Sequence, residues 1–206
     1  MTEHYFSGTP IAPERRRTVS VELFGRTVTV ETANGVFSGD GLDKATAVLL
    51  KEVPPPPGSP RILDLGCGWG AIALGLALAT QGAKVDAVDV NERALALCRD
   101  NADRLGVGSR IHTLRPDQVA EDVTYDQIWS NPPIRIGKTA LHELLQTWLA
   151  RLAPEGVAYL VVGKNLGADT LAGWLTSRGF DCVRLASAKG FRVLEVRPRG
   201  RLASPD

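Results

Sequence analysis

The spacing of hydrophobic and polar positions changes along the chain, and each change marks an element. Residues 19–31, Val-Ser-Val-Glu-Leu-Phe-Gly-Arg-Thr-Val-Thr-Val-Glu, alternate apolar and polar side chains on both sides of Gly25, the period of a half-buried β-hairpin. Between Leu42 and Val53 the period lengthens: Leu42, Ala45, Leu49 and Val53 recur near helical spacing, and Pro54 to Pro57 end the helix in a stiff connector. From Arg61 onward, short apolar runs alternate with helical patterns, the signature of parallel βα units. Strands are predicted at 61–65, 84–89, 110–114, 126–130, 157–163, 180–186 and 190–196, with helices at about 70–80, 92–105, 139–152 and 168–178. In the 139–152 helix, Leu141, Leu144, Leu145, Trp148, Leu149 and Leu152 form one apolar stripe, which makes Trp148 a core residue. Only Ala188-Lys189-Gly190 separates the last two strands, too short for a parallel crossover, so the sheet is expected to end in an antiparallel hairpin.

The expected class is α/β. Residues 1–57, a β-hairpin and a capping helix, are expected to pack as an extension on a core of residues 58–206, the two making one structural domain, because the extension alone holds too little core. A length of 206 residues with 44% hydrophobic and 23% charged positions suits one globular unit and excludes a disordered or fibrous chain. Twenty-four Lys and Arg against 23 Asp and Glu leave a formal charge of +1, so any basic surface must be local. The run Ala71 to Ala79 is far short of the roughly 20 residues that span a bilayer, so no membrane partner is expected. The start Met1-Thr2-Glu3-His4-Tyr5 lacks a secretory pattern, and the expected location is cytoplasmic. Cys67, Cys98 and Cys182 fit neither a disulfide framework nor a zinc site, and His4, His112 and His142 show neither metal spacing nor a partner nucleophile. No metal is expected. The absence of GxSxG, of a P-loop lysine and of HExxH leaves hydrolase and kinase readings without support.

The chemistry starts at Arg61-Ile62-Leu63-Asp64-Leu65, which runs into Gly66-Cys67-Gly68-Trp69-Gly70 and then a helix of small residues. A strand–loop–helix turn stripped of side chains lets backbone meet a nucleotide-like ligand. Dinucleotide enzymes show GxGxxG, with the helix N-terminus aimed at a pyrophosphate. Here the spacing is GxGxG and Asp64 precedes it. A carboxylate there repels a pyrophosphate but suits a sulfonium and an ammonium group, which favours S-adenosylmethionine. Asp89 closes the second predicted strand 19 residues after Gly70, near the roughly 20-residue offset at which an acid meets ribose hydroxyls. Asp86, on the opposite face, is the weaker candidate, and Asp117, after the third strand, is placed to accept from an adenine amino group. Cys67 is read as a backbone contact, because the positions around it lack bulk.

The fourth core strand breaks at Asn131-Pro132-Pro133-Ile134. In an open sheet the first and fourth strands flank the switch point, which puts this corner beside the cofactor. The prolines hold the local backbone extended, so the Asn131 carboxamide oxygen and the Pro132 carbonyl can accept the two hydrogens of a planar amino group and aim its nitrogen at an electrophilic methyl.

At these residues the sequence resembles the class I methyltransferases that act on an exocyclic amino group through an Asn/Asp-Pro-Pro-aromatic motif. Within them it is similar to the small guanine-N2 ribosomal RNA methyltransferases of the 16S G1207 type. The resemblance runs through His4-Tyr5-Phe6-Ser7, Gly35-Val36-Phe37-Ser38-Gly39-Asp40-Gly41-Leu42-Asp43, Asp64-Leu65-Gly66-Cys67-Gly68, Asp89-Val90-Asn91-Glu92-Arg93-Ala94 and, most specifically, Asn131-Pro132-Pro133-Ile134-Arg135-Ile136-Gly137-Lys138. It implies a doubly wound, seven-stranded, mostly parallel Rossmann-like sheet with an antiparallel last strand, the hairpin being an N-terminal extension. It also implies a Phe37-Ser38 loop over the cofactor. The expected cofactor set is then Phe37, Ser38, Asp64, Gly66, Cys67, Gly68, Gly70, Asp89, Val90, Asp117 and Asn131, and the catalytic corner is Asn131, Pro132, Pro133 and Ile134. Ile134 stands where tandem-domain members carry Phe, so base stacking is expected to fall to Phe37, to Phe191 or to aliphatic contact, and the N-terminal copy of those members is expected to be absent, as in single-domain relatives.

Arg135 and Lys138 follow the corner, where cations can hold the phosphates flanking an extruded base. From Arg178 to Arg201, seven cations (Arg178, Arg184, Lys189, Arg192, Arg197, Arg199 and Arg201) face two acids, Asp181 and Glu195, an excess that suits RNA or a solubilising tail. Arg15-Arg16-Arg17 poses the same choice. The expected RNA contacts are Arg135, Lys138, Lys189 and Arg192, and the expected partner is ribosomal RNA or the 30S subunit. The corner does not separate planar amino acceptors: a protein glutamine, an adenine or a small molecule is the alternative. A non-catalytic RNA-binding module of the same fold is the other, against which the intact glycine loop and Asn131 argue.

Overall fold

The structure, a computed structural model, describes residues 12–200; His4-Tyr5-Phe6-Ser7 and Arg201 lie outside them. Alternation in the first segment produces an antiparallel hairpin, β1 (Arg16–Leu23) and β2 (Arg26–Ala33), longer than its apolar pattern suggests. Both turn residues, Phe24 and Gly25, have positive φ (46° and 75°), the twist that a two-residue hairpin turn needs. Phe24 has no glycine's freedom; its ring instead meets Trp129 edge-on at 6.2 Å and lies over Gly75. Helix α1 (Lys44–Glu52) follows, capped by the Asp43 side chain, so Leu42 falls just before the helix rather than in it.

The core alternates β3 (Arg61–Leu65), α2 (Ala71–Ala79), β4 (Lys84–Val88), α3 (Glu92–Arg104), β5 (Ile111–Leu114), β6 (Tyr125–Ser130), α4 (Lys138–Leu149), β7 (Leu152–Gly163), α5 (Ala168–Ser177), β8 (Phe180–Ala188) and β9 (Phe191–Pro198). The seven strands lie in the order β5-β4-β3-β6-β7-β9-β8, parallel from β5 to β7, with β9 antiparallel to both its neighbours. The closing hairpin turns on Lys189 and Gly190, both at positive φ (50° and 83°), while Ala188 already pairs with Phe191. One expected boundary moves. Leu152 opens β7 opposite Tyr125 instead of ending α4, because Pro154 pushes the chain before it out of helical geometry and Ala150 caps the helix.

Period-two alternation sorts the core strands between two apolar layers. Ile62 and Trp129 face α1, α2, α3 and the hairpin, whereas Leu63, Leu65 and Ile128 face α4 and α5. Trp148 is buried in the second layer. Among the described residues no helix is long and apolar enough to cross a membrane, and no group of His, Cys, Asp and Glu is arranged to hold a metal ion.

The hairpin is held to the core by side chains that imitate peptide units. The Asn101 carboxamide accepts from the Glu31 N–H at 2.7 Å and donates to the Glu31 carbonyl at 2.9 Å and to the Trp69 carbonyl at 3.2 Å. Asn91 donates to the Gly35 carbonyl at 2.7 Å, and Arg93 reaches the Asn34 carbonyl. Removing the Asn101 amide strands buried partners, so Asn101→Ala should cost about 2–3 kcal/mol in urea unfolding and speed amide exchange along β2. An unchanged midpoint would show that the hairpin is held by other contacts.

Candidate active site

Strands β3 and β6 lie side by side, Leu65 opposite Ser130, yet the chain leaves β3 toward β4 and β5 and leaves β6 toward β7. The two outgoing segments diverge and open a crevice at the carboxyl ends of the strands. Into it run the glycine loop from β3 and the Asn-Pro-Pro corner from β6.

The loop is held by its backbone. The Gly66 and Cys67 N–H groups both donate to the Val88 carbonyl, at 2.8 and 3.0 Å, and the Gly68 N–H donates to Asp89 Oδ2 at 2.9 Å. Gly66, Gly68 and Gly70 all have positive φ (78°, 55° and 98°). The third glycine serves packing, since a Cβ at Gly70 would come within 2.7 Å of Cys98 Sγ, whereas one at Gly66 would meet only open space. Gly66 is therefore a place where a ligand can approach the backbone.

Asp64 lies fully buried beneath this loop, on the face of β3 that looks toward α2. Its Oδ2 accepts from the Ala73 N–H at 2.9 Å, and its Oδ1 is buried without a hydrogen-bond partner. Burial, only partly offset by the Ala73 bond and reinforced by the charge of Asp89, pushes its pKa up to about 7. An unpaired carboxylate oxygen with that appetite for a proton suits a ligand carrying positive charge. Asp89, just past β4, also titrates above the usual carboxylate range because of burial, although the Asn91, Gly68 and Val90 N–H groups pull it back. The Cys67 thiol is pushed far above its ordinary range by its hydrogen bond with Cys98 and by burial, which leaves it protonated and unreactive.

Phe37, Ser38, Gly66, Cys67, Gly68 and Asn131 line one pocket, joined by Asp43, Thr46, Trp69, Ala71 and Ile72. Phe37 is half exposed at its mouth, and Ser38 takes a positive φ of 54° in a turn closed by its hydroxyl on the Gly41 carbonyl at 2.7 Å. The remaining predicted cofactor residues extend along the neighbouring strand ends. Asp89 and exposed Val90 follow β4, and Asp117 follows β5, where it is exposed and paired with Arg115 at 3.2 Å. Asp86 lies elsewhere, buried with Tyr125 and bonded to the exposed Arg61 and His112 side chains.

At the corner, Asn131 Nδ2 donates to Asp43 Oδ1 at 2.8 Å and to Thr46 Oγ1 at 3.1 Å. Both amide hydrogens are thus used, and Oδ1 has no partner among the described residues. The Pro132 carbonyl accepts from the Ile134 N–H at 2.8 Å across Pro133 (φ −76°, ψ 74°), an inverse γ-turn that leaves one lone pair for another donor. Ile134 packs partly against the α4–α5 layer. Neither Asp43 nor Thr46 is among the expected site residues: Asp43 closes the Gly35-to-Asp43 stretch and helix-capping chemistry marks it in the sequence, but its bond to Asn131 crosses 88 positions.

Arg135, Lys138 and Lys189 are exposed on this rim, as is Lys164 in the turn after β7, whose N–H donates to the Gly190 carbonyl at 2.8 Å. Arg192 corrects the expectation of an exposed RNA contact. It is buried, 8% exposed, and pairs with Asp169 on α5, because β9 lies inside the sheet rather than at its edge. Other predicted cations are likewise occupied: Arg16 by Glu14, Glu31 and Asp100, Arg17 by Asp40, Arg197 by Glu195 and Arg199 by Asp181. His142 stacks on Trp174 at 3.8 Å.

The raised pKa of Asp64 carries a signed consequence. The unfolded chain loses this proton near the usual carboxylate range and the folded chain keeps it to about 7, so the stability it contributes is present at low pH and fades as pH rises through about 7. The ligand-free protein should therefore lose thermal stability between about pH 5 and pH 8, and Asp64→Asn should flatten that slope. An identical slope in the variant would assign the effect to other groups.

Compared with known proteins, residues 27–195 match the family model of the methyltransferase small domain. The chain is similar to the uncharacterized protein YbxB of Bacillus subtilis (strain 168), 30% identical over 96% of this chain and 99% of that one. It is similar to ribosomal RNA small subunit methyltransferase C of Shewanella sp. (strain MR-4), 32% identical over 70% of this chain, but it spans only 43% of that protein's length. The solved structure of the T. thermophilus 16S rRNA N2 G1207 methyltransferase, in complex with AdoMet and guanosine, superposes with a TM-score of 0.75 at 26% identity, over 92% of this chain and 52% of that one. Because the family match spans both the glycine cradle and the Asn-Pro-Pro corner, the chain belongs to the methyltransferase small domain family and takes S-adenosylmethionine as its cofactor.

Proposed function

We propose that this methyltransferase modifies the exocyclic N2 amino group of a guanine in 16S ribosomal RNA. The observation that carries the reading is the Asn131 carboxamide, whose nitrogen is fully engaged by Asp43 and Thr46, so that only its oxygen is offered to an acceptor. An amino group is the complement of such an oxygen. The names of the Shewanella and T. thermophilus relatives supply the RNA and the guanine.

In this reading Asp64 meets the ammonium of the cofactor, Asp89 its ribose hydroxyls and Asp117 its adenine, with Val90 alongside and Phe37 and Ser38 covering it. Bound there, S-adenosylmethionine supplies an electrophilic methyl group on a positively charged sulfur. Asn131 Oδ1 and the Pro132 carbonyl accept the two amino hydrogens, hold the nitrogen lone pair on line, and stabilise the positive charge that grows as the nitrogen gains a bond. No described histidine stands at the corner, since His112 is turned to Asp86 and His142 to Trp174; the surplus proton leaves to water. Arg135, Lys138 and Lys189 hold phosphates beside the extruded base.

Labelled methyl transfer to unmodified 30S subunits, 50S subunits and free ribosomal RNA, followed by nucleoside digestion, tests the reading. Label should appear in N2-methylguanosine from 30S or its RNA. Label absent from all RNA, with cofactor binding intact, would shift the acceptor to a protein glutamine or a small molecule. Asn131→Ala should lower turnover by about 10²-fold or more, with a smaller effect on cofactor affinity. Asp89→Ala should do the reverse, weakening cofactor binding about 10-fold or more by calorimetry, and an unchanged dissociation constant would exclude Asp89 from the ribose site.

A further inference from the structure

We propose that Asp43 is a positioning residue for the acceptor amine: it holds the Asn131 carboxamide in the one orientation that can accept a hydrogen bond from substrate. The inference rests on the reading of Asn131 given above and adds the group that makes it work.

A free asparagine amide presents oxygen or nitrogen with nearly equal ease, because the two ends have the same shape. If Asn131 turned its NH₂ to an acceptor amino group, donor would face donor and the nitrogen would be pushed off line. Asp43 removes that choice. Its carboxylate only accepts, so the amide end facing it has to be the nitrogen, at 2.8 Å from Asp43 Oδ1, and Thr46 Oγ1 takes the second N–H at 3.1 Å. The same Oδ1 accepts from the Ala45 N–H at 2.8 Å and the Thr46 N–H at 3.1 Å, which fixes the carboxylate to the first turn of α1. That helix is itself immobilised: Ala45, Val48, Leu49 and Leu50 are buried, and it lies against β7 and β9. The orientation of one amide is thus set by the packed core through three short links.

The arrangement also joins the two halves of the site. Asp43 closes the segment that begins with Phe37 and Ser38, and all three line the pocket with Asn131 and the glycine loop. The wall placed over the cofactor therefore ends in the carboxylate that orients the acceptor.

Capping and positioning are separable by substitution. Serine caps a helix about as well as aspartate but is one bond too short to reach Asn131, so Asp43→Ser keeps the first role and loses the second. Asparagine retains an oxygen at the same reach, so Asp43→Asn keeps both. In methyl transfer to 30S subunits, Asp43→Ser should lower kcat by about 10- to 100-fold, with KM for RNA, cofactor affinity and Tm nearly unchanged. Asp43→Asn should recover most of the rate, and Thr46→Val should lose less than Asp43→Ser. Independently of any substrate, the Asn131 side-chain amide protons should exchange slowly by NMR in the parent and in Asp43→Asn, and fast in Asp43→Ser. Parental kcat in Asp43→Ser alongside an inactive Asn131→Ala would overturn the positioning role while sparing the role of Asn131. Parental kcat in Asn131→Ala would overturn both. A loss of Tm or of cofactor affinity in Asp43→Ser that accounts for its lost rate would reduce Asp43 to a cap.

Discussion

Two neighbouring strands that must send their chains in opposite directions determine most of this molecule. β3 and β6 are paired in register, and the Ser130 hydroxyl donates to the Leu65 carbonyl at 2.7 Å, fastening their ends together at the point where the paths part. Divergence there leaves backbone groups that neither strand can satisfy. The chain meets this with a glycine loop tied back to Val88 and Asp89 on one side and a proline-locked corner on the other. Neither solution leaves bulk in the crevice, so a ligand can reach backbone on both sides.

The crevice lacks a roof until the N-terminal segment arrives. Asn91, Arg93 and Asn101, all on or beside α3, bind main-chain groups of the segment from Gly35 back to Glu31 and so hold β2 against the core. Phe24 anchors the hairpin tip on Trp129. With both ends held, the stretch from Val36 to Asp43 has little freedom in where it crosses the glycine loop. Buried polar groups are costly unless paired, and here their pairing transmits position from the core to the pocket wall.

What could be read in advance follows from the range of the interactions concerned. Strand alternation and helix periodicity are local, so the α/β order, the closing hairpin and the loop after β3 were legible from residues close in sequence. The glycines and the Asn-Pro-Pro corner were legible because each constrains its own backbone. Partnerships across the fold were not. The tie between Asp43 and Asn131 exists only once α1 is packed against β7 and β9, and nothing near Arg192 reveals that β9 is inserted between β7 and β8 and turns that side chain toward Asp169. Counting cations along the C-terminal segment therefore overstated its exposed charge, since Arg192, Arg197 and Arg199 each have an acidic partner. Leu152 continued a helical stripe although Pro154 had already ruled the helix out, a case where side-chain pattern and backbone chemistry disagree and the backbone wins.

The insertion of β9 has one more effect, at the far side of the sheet from the pocket. It makes β8 the edge strand, with Val183 and Leu185 exposed, which is a template on which another chain could add. Pairing between β8 and β9 shifts register between Arg184 and Ala186, and the bulge falls amid those two apolar side chains with Arg184 between them. A strand docking on that edge would find its hydrogen-bond ladder broken halfway and a cation at the break. The edge of the sheet is thereby interrupted by geometry as well as by charge, and both features disfavour strand addition along its apolar side chains.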